Sequence, residues 1–250
     1  MQLTLIGIGT GNPDHVTAEG VRAIRGADLI LLPQKGEEKR DLADLRRQIV
    51  VHVRGDNAPV AAFDLPTRAA DVPYFEAVEA WHDAIAEVWA AAIAAARPNP
   101  SHVALLIWGD PSLYDSSLRI AARLSPRPIL RVVPGITALQ ALTAAHAIPL
   151  NDVGAPVLIT TGRRLRAAGW PAGVDRLAVM LDGGCAFAAL DAPNATIWWG
   201  AFLGMPEQIL HHGRLADVSD QIVADRAAAR ERHGWIMDTY ILARASDPRP

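Results

Sequence analysis

Short apolar runs, bounded by glycine, proline and charged residues, alternate with helix-patterned stretches from the first residues onward. That alternation marks strand-helix-strand units, in which crossover helices join parallel strands. It predicts strands at Leu3–Ile8, Leu29–Leu32, Val60–Phe63, Val103–Trp108 and Ile129–Val133. Between the first two, Thr17 stands where it can cap a helix whose apolar positions Val21 and Ile24 lie three apart. Leu42, Leu45 and Ile49 mark a second helix. The clearest helix runs from Tyr74 to Ala96, with Asp71 and Pro73 at its start and Arg97-Pro98 at its end. Its apolar stripe is Phe75, Val78, Ile85, Val88, Trp89, Ala92 and Ile93, so Trp81 and Trp89 read as core packing rather than a cofactor box.

A helix from Ile136 to His146 ends before Pro149, and the polar segment Leu150 to Gly154 precedes a new apolar run, Val157–Ile159. We place a domain boundary there, giving an α/β domain over 1–150 and a smaller α/β domain over 151–250. The second contains strand candidates at Leu177–Leu181, Thr196–Trp199 and Met237–Ala243, separated by helical or glycine-rich stretches. With 250 residues, half of them apolar, each domain can bury a core of its own.

Composition narrows the chemistry. Twenty-four basic against 27 acidic residues leave a net charge of −3, no field for nucleic acid or an anionic membrane, so an anionic substrate must meet a local basic patch. Cys185 is the sole cysteine, which rules out an internal disulfide and a thiolate metal cluster. The histidines are scattered without HExxH spacing, and His211-His212, being adjacent, point apart; no metal is expected. Neither a GxSxG elbow nor a GxxxxGK[ST] phosphate loop is present. The run Leu3–Ile8 is short and lacks a basic leader, and no run approaches the roughly 20 residues that span a bilayer. A cytoplasmic protein with no membrane or nucleic-acid partner is the expectation.

The loops after the strands carry the functional signal. The first strand ends in Gly7-Ile8-Gly9-Thr10-Gly11-Asn12-Pro13-Asp14, where Asn12 and Pro13 break a dinucleotide fingerprint, yet the glycines let backbone approach a ligand. The second runs into Pro33-Gln34-Lys35-Gly36-Glu37-Glu38-Lys39, a solvated or substrate-facing loop. Trp108-Gly109-Asp110-Pro111-Ser112-Leu113-Tyr114-Asp115 follows a buried strand. Its Asp110 suits a cation, or orients the loop through local hydrogen bonds. Val133-Pro134-Gly135-Ile136-Thr137-Ala138 leaves room for a flat adenine or a methionine tail, or is plain strand-to-helix packing. Thr160-Thr161-Gly162-Arg163-Arg164-Leu165-Arg166 sets three arginines beyond a strand, suited to carboxylates or simply solvated. Leu181-Asp182-Gly183-Gly184 and Gly200-Ala201-Phe202-Leu203-Gly204 offer low-profile backbone.

In order, these loops resemble the tetrapyrrole methylase family: its GxGxG(D/N)P turn matches Gly7 to Pro13, its GDP loop Gly109 to Pro111, and its VPGI(S/T)A turn Val133 to Ala138. Thr10 departs from the proline many members have in the first turn. Longer runs, among them Lys35 to Lys39, Trp108 to Ile120, Val157 to Leu165, Trp198 to Gly204 and Arg232 to Tyr240, resemble the branch that methylates precorrin-5 at ring carbon 1 and releases acetate. The resemblance implies an amino-terminal, mostly parallel five-stranded sheet, a carboxy-terminal mixed sheet, S-adenosylmethionine in a cleft between them with S-adenosylhomocysteine as product, and a homodimer. It implies donor contacts from Gly9, Gly109, Asp110, Ser112, Tyr114, Thr137, Ala138, Leu181, Asp182, Ala201, Phe202 and Tyr240, with Asp110 balancing the sulfonium or the methionine amine.

The tetrapyrrole carries many carboxylates, which makes Lys35, Lys39, Arg163, Arg164 and Arg166 the docking candidates. Acetate release needs a base for water; Glu37, Asp14, His15 and Tyr114 are the candidates. The competing readings are a methyltransferase of the same fold acting on RNA or on a modified histidine, and a binding module without catalysis.

Overall fold

The computed structural model describes residues 1–34 and 40–244. Contacts divide the chain into two units, Met1–Thr137 and Ala138–Pro250. The first contains β1 (Gln2–Gly7), α1 (Ala18–Gly26), β2 (Leu29–Gln34), α2 (Arg40–Arg54), β3 (Val60–Asp64), α3 (Tyr74–Ala96), β4 (His102–Ile107), α4 (Ser117–Ala121) and β5 (Ile129–Val133). Its strands lie in the order β3-β2-β4-β1-β5, and every neighbouring pair is parallel.

The inner strands read as continuous apolar runs because helices cover both faces of the sheet. Alternate residues take opposite sides. Leu3, Leu5, Leu29, Leu31, Val103 and Leu105 pack with Ile85, Trp89 and Ile93 of α3, whereas Ile6, Ile30, Ala104 and Leu106 pack with Ile24 of α1 and Ile49 and Val53 of α2. Thr17 caps α1 as expected, its hydroxyl accepting from the Gly20 N–H at 3.0 Å. The α3 stripe begins later than its pattern suggests: Phe75 is 78 % exposed and meets only Tyr74 edge-on among the ring contacts, so Ala77 is the first buried position.

The second unit contains α5 (Ala138–His146), β6 (Leu158–Thr161), α6 (Gly162–Ala168), β7 (Arg176–Met180), β8 (Thr196–Ala201), β9 (Ile209–Arg214), α7 (Leu215–His233) and β10 (Asp238–Ala243). Its sheet runs β6-β7-β10-β8-β9, with β6 and β7 parallel and the other pairs antiparallel. Since β7 and β8 both oppose β10, their carboxyl ends share one edge with the start of β10. The division falls at Thr137/Ala138 rather than at 150/151, because α5 packs on β8 and β10. Among the described residues no helix is long and apolar enough to cross a membrane.

Candidate active site

Three glycines bring the strand tips of the first unit together. A Cβ on Gly7 would fall 2.6 Å from the Gly135 nitrogen and 2.8 Å from the Gly109 oxygen, and one on Gly135 only 2.2 Å from that same oxygen. No side chain fits at this junction, so the ends of β1, β4 and β5 meet through backbone alone. Gly9 and Gly109 then exchange hydrogen bonds, Gly109 N–H to Gly9 O at 2.7 Å and Gly9 N–H to Gly109 O at 3.3 Å.

Asp110 fastens the junction. Its Oδ2 accepts from the Gly135 N–H at 2.8 Å, and its Oδ1 from the Ser112 N–H at 2.8 Å and hydroxyl at 2.5 Å. Burial alone would raise this carboxyl, but the donations from the Ser112 hydroxyl, the Gly135 N–H and the Ser112 N–H outweigh it and hold it below the ordinary carboxylate range. Of the two readings open for Asp110, orienting the loop is the one its hydrogen bonds display. Beyond it Tyr114 is 44 % exposed with φ +51°. Such left-handed backbone is costly for a non-glycine residue and concentrates at ligand sites.

The base candidates sit differently from one another. His15 lies against the β1 tip: its Cβ would be 2.6 Å from a Cβ on Gly9, and its Nδ1 is 3.2 Å from the Thr10 hydroxyl. Thr10, the departure from the family pattern, is buried there. Asp14 is exposed, its N–H donating to the Asn12 side chain at 2.9 Å. Glu37, Lys35 and Lys39 lie outside the described residues.

In the second unit Asp182 is the centre of the shared edge. Its Oδ2 accepts from the Tyr240 hydroxyl at 2.7 Å and the Ala186 N–H at 2.6 Å; its Oδ1 accepts from the Gly184 N–H at 3.1 Å and faces Arg166 at 3.4 Å. Gly162 starts α6 here because a Cβ would fall 2.2 Å from the Asp182 carboxyl. Tyr240 is fully buried, and burial followed by the Asp182 charge drives its hydroxyl far above the ordinary range, fixing it as a donor. Asp182 and Tyr240 therefore face inward, while Leu181, in a left-handed turn at φ +53°, is 64 % exposed. Ala201 is buried, and Phe202 (φ +50°) packs edge-on against Trp235 and His233.

Of the three arginines, Arg163 and Arg164 are exposed, and Arg166 reaches into the Asp182 cluster. Sequence reading missed a second layer beneath this edge. Arg226 donates to the Asp238 carboxylate from Nε at 3.0 Å and Nη2 at 3.2 Å, and from Nη2 to the Asp182 carbonyl at 3.0 Å. The Trp199 indole N–H also donates to Asp238, at 3.0 Å. Burial would lower Arg226, but its bonds to Asp238 raise it, so the guanidinium stays charged. The available signal was helical phase: Ile222, Arg226 and Ala229 lie on the buried face of α7. Among the described residues no cluster of histidine, cysteine and carboxylates would hold a metal.

Residues 2–219 match the model of the tetrapyrrole (corrin/porphyrin) methylases. The chain is 43 % identical over 252 residues to a protein from Sinorhizobium sp named precorrin-6A synthase [deacetylating], covering 98 % of this chain and 96 % of that one. A crystal structure of a cobalamin synthesis related protein, CobF, from Corynebacterium diphtheriae superimposes with a TM-score of 0.84 at 37 % identity, covering 98 % of this chain and all of that one. A uroporphyrin-III C-methyltransferase from Thermus thermophilus, solved with S-adenosylhomocysteine, shares the fold at 21 % identity, a TM-score of 0.58 and 97 % coverage of both chains.

Proposed function

This chain belongs to the tetrapyrrole methylase family, and we propose that within it the chain methylates precorrin-5 at ring carbon 1 and releases acetate, giving precorrin-6A in cobalamin biosynthesis. The observation that carries the reading is nearly full-length likeness to a relative named for that deacetylating reaction. The residues fit the methyl donor. Strand tips free of side chains, at Gly7, Gly109 and Gly135, lie at the carboxyl ends of parallel strands, where such sheets bind ligands. Left-handed Tyr114 and Leu181 project from the corresponding loops.

S-adenosylmethionine supplies a sulfonium-activated methyl group when bound. The chain's own part is placement, a contribution of up to roughly 7–11 kcal/mol in favourable cases. Each unit supplies its own candidates for donor contact by the resemblance: Gly9, Gly109, Ser112, Tyr114 and Thr137 in the first, and Ala138, Leu181, Ala201 and Phe202 in the second. Asp110, Asp182 and Tyr240 would shape the loops that carry them. Arg163, Arg164 and Arg166, all exposed, are the described docking candidates for the substrate's carboxylates, Arg166 also facing Asp182. His15, beside the Gly9 tip, is the best placed of the described base candidates.

A homodimer is also proposed. The edge strand β5 exposes Ile129, Leu130 and Val132, an apolar edge that soluble proteins normally cover. A cytoplasmic location is proposed with it. The test is incubation of the purified protein with precorrin-5 and donor. Acetate and S-adenosylhomocysteine are expected in equal amounts, and donor turnover without acetate would overturn the deacetylating assignment.

A further inference from the structure

The Asp182 carboxylate is answered without any surface side chain. Its Oδ2 accepts from the Tyr240 hydroxyl and the Ala186 N–H, and its Oδ1 from the Gly184 N–H. Arg166 is an addition to that set. Its Nη1 lies 3.4 Å from Oδ1, farther than any of the other three donors, and its side chain is 44 % exposed where that of Asp182 is 2 % exposed. A cation held this loosely at a half-exposed position contributes little to folding stability.

Its place is nevertheless kept open. A Cβ on Gly184 would fall 2.6 Å from the Arg166 Nη1 and 3.2 Å from its Cζ, so a side chain at 184 would push the guanidinium off the carboxylate. The backbone of Gly184 is not in the left-handed region, and the nearest atoms such a Cβ would meet all belong to Arg166. What the missing side chain provides is therefore room for the guanidinium. That group has one part against Asp182, the residue directly after exposed, left-handed Leu181, and the rest toward solvent on the helix that also carries Arg163 and Arg164. A guanidinium presents five N–H donors in a plane and can serve two carboxylates at once.

We propose that Arg166 is a positioning residue that couples substrate docking to the donor turn. A carboxylate of the tetrapyrrole, bound on the exposed part of the guanidinium, fixes that group beside Asp182 and so steadies the Leu181–Gly184 turn against the methyl donor. The inference rests on the methyltransferase reading and on Leu181 as a donor contact. Ordering a long, half-exposed side chain costs free energy, and a ligand that arrives after it has been ordered binds more tightly. Linkage then requires each ligand to tighten the other by the same factor.

S-adenosylhomocysteine lacks the transferable methyl group, so its complex with precorrin-5 cannot proceed to methylation and the coupling is read at equilibrium by calorimetry. In the unmodified protein, saturating precorrin-5 should tighten S-adenosylhomocysteine about fivefold or more. Arg166→Met should bring that factor to about one at a nearly unchanged midpoint in urea, as a half-exposed pair implies. Gly184→Ala displaces the guanidinium but keeps its charge; it too should abolish the coupling while precorrin-5 still binds. Arg163→Ala with Arg164→Ala should weaken precorrin-5 binding, yet the factor should persist once precorrin-5 saturates. A factor that survives in either Arg166→Met or Gly184→Ala, or its absence in the unmodified protein with both ligands bound, overturns the proposal and leaves the methyltransferase reading standing. An unmodified protein that does not bind S-adenosylhomocysteine overturns that reading, and this proposal with it.

Discussion

Gly135→Ala tests the strand-tip junction most directly. The added Cβ would lie 2.2 Å from the Gly109 oxygen and 2.7 Å from Gly7 backbone atoms. Even close C–H···O contacts stay near 3.3 Å, so the segments must part by about 1 Å. All three neighbours are backbone, and no rotamer change relieves them. Overpacking of this kind costs about 1–3 kcal/mol. Parting also stretches the Gly135–Asp110 hydrogen bond, and bonds to charged groups contribute about 1.5–3 kcal/mol. The reduced freedom of the unfolded chain returns only about 0.4–1 kcal/mol. The net is a loss of roughly 2–5 kcal/mol, read as a lower midpoint in urea at unchanged slope. Gly26→Ala is the control. That glycine ends α1 with nothing within 4 Å of the built Cβ, so the same chemical change should stabilise by about 0.5–1 kcal/mol. Gly135→Ala should also weaken S-adenosylhomocysteine binding in calorimetry. Two alanine variants of equal stability would refute the steric argument.

Tyr240→Phe removes the hydroxyl that donates to Asp182 and should cost about 2 kcal/mol in chemical denaturation, with weaker S-adenosylhomocysteine binding in calorimetry. Arg226→Met strands the buried Asp238 carboxylate and should cost about 3–5 kcal/mol; adding Asp238→Asn should recover part of it, and a loss equal to the sum of the single changes would refute pairing. Burial, and after it the neighbouring His212 and His211 charges, lower the pKa of His146 below 6.5 against the opposing bond to the Trp199 carbonyl. The unfolded chain then takes up its proton first, so stability falls as pH drops below 6.5, and His146→Gln should flatten that slope in urea titrations at successive pH values. Arg163→Ala with Arg164→Ala should raise the KM for precorrin-5 while leaving S-adenosylhomocysteine affinity unchanged, and an equal loss in both would remove them as docking residues.

How far the sequence reads through depends on what buries each segment. The inner strands of the first unit are covered on both faces, so Leu3–Ile8 and Val103–Trp108 stand out as apolar runs and lie within a residue of the observed limits. The edge strand β9 escaped notice because Ile209-Leu210-His211-His212-Gly213-Arg214 pairs on one side only and carries polar residues. The boundary near 150 follows Pro149, a break in the chain's local pattern, whereas the division at 137 reflects tertiary packing. A Cβ on Gly200 of β8 would press on Leu142 of α5, a closeness that no local pattern announces. The loop motifs located the strand tips, but not the division of labour within them. Asp110 reads in sequence either as a cation partner or as a loop orienter, and Asp182 as a donor contact by resemblance alone; in the structure both accept from backbone N–H groups, because a buried carboxylate must be answered wherever the fold places it.

The two units expose their loops by different means, and the difference predicts what each tolerates. In the first, backbone meets backbone at Gly7, Gly109 and Gly135, so the arrangement depends on the absence of side chains. In the second, the turn at Leu181 is held by its neighbour. Tyr240, Ala186 and Gly184 donate to the Asp182 carboxylate, and Arg226 grips the Asp182 carbonyl. Backbone in the left-handed region persists at a non-glycine residue only where the surroundings over-determine it, and here four donors and a buried ion pair do so. Leu181 thus stays outward, an exposed apolar side chain that free folding preferences would turn inward. Its exposure is a property of the Asp182–Arg226–Asp238 network, not of Leu181 itself. Loss of Arg226 should therefore be felt at the loop surface even though its own side chain is buried beneath it.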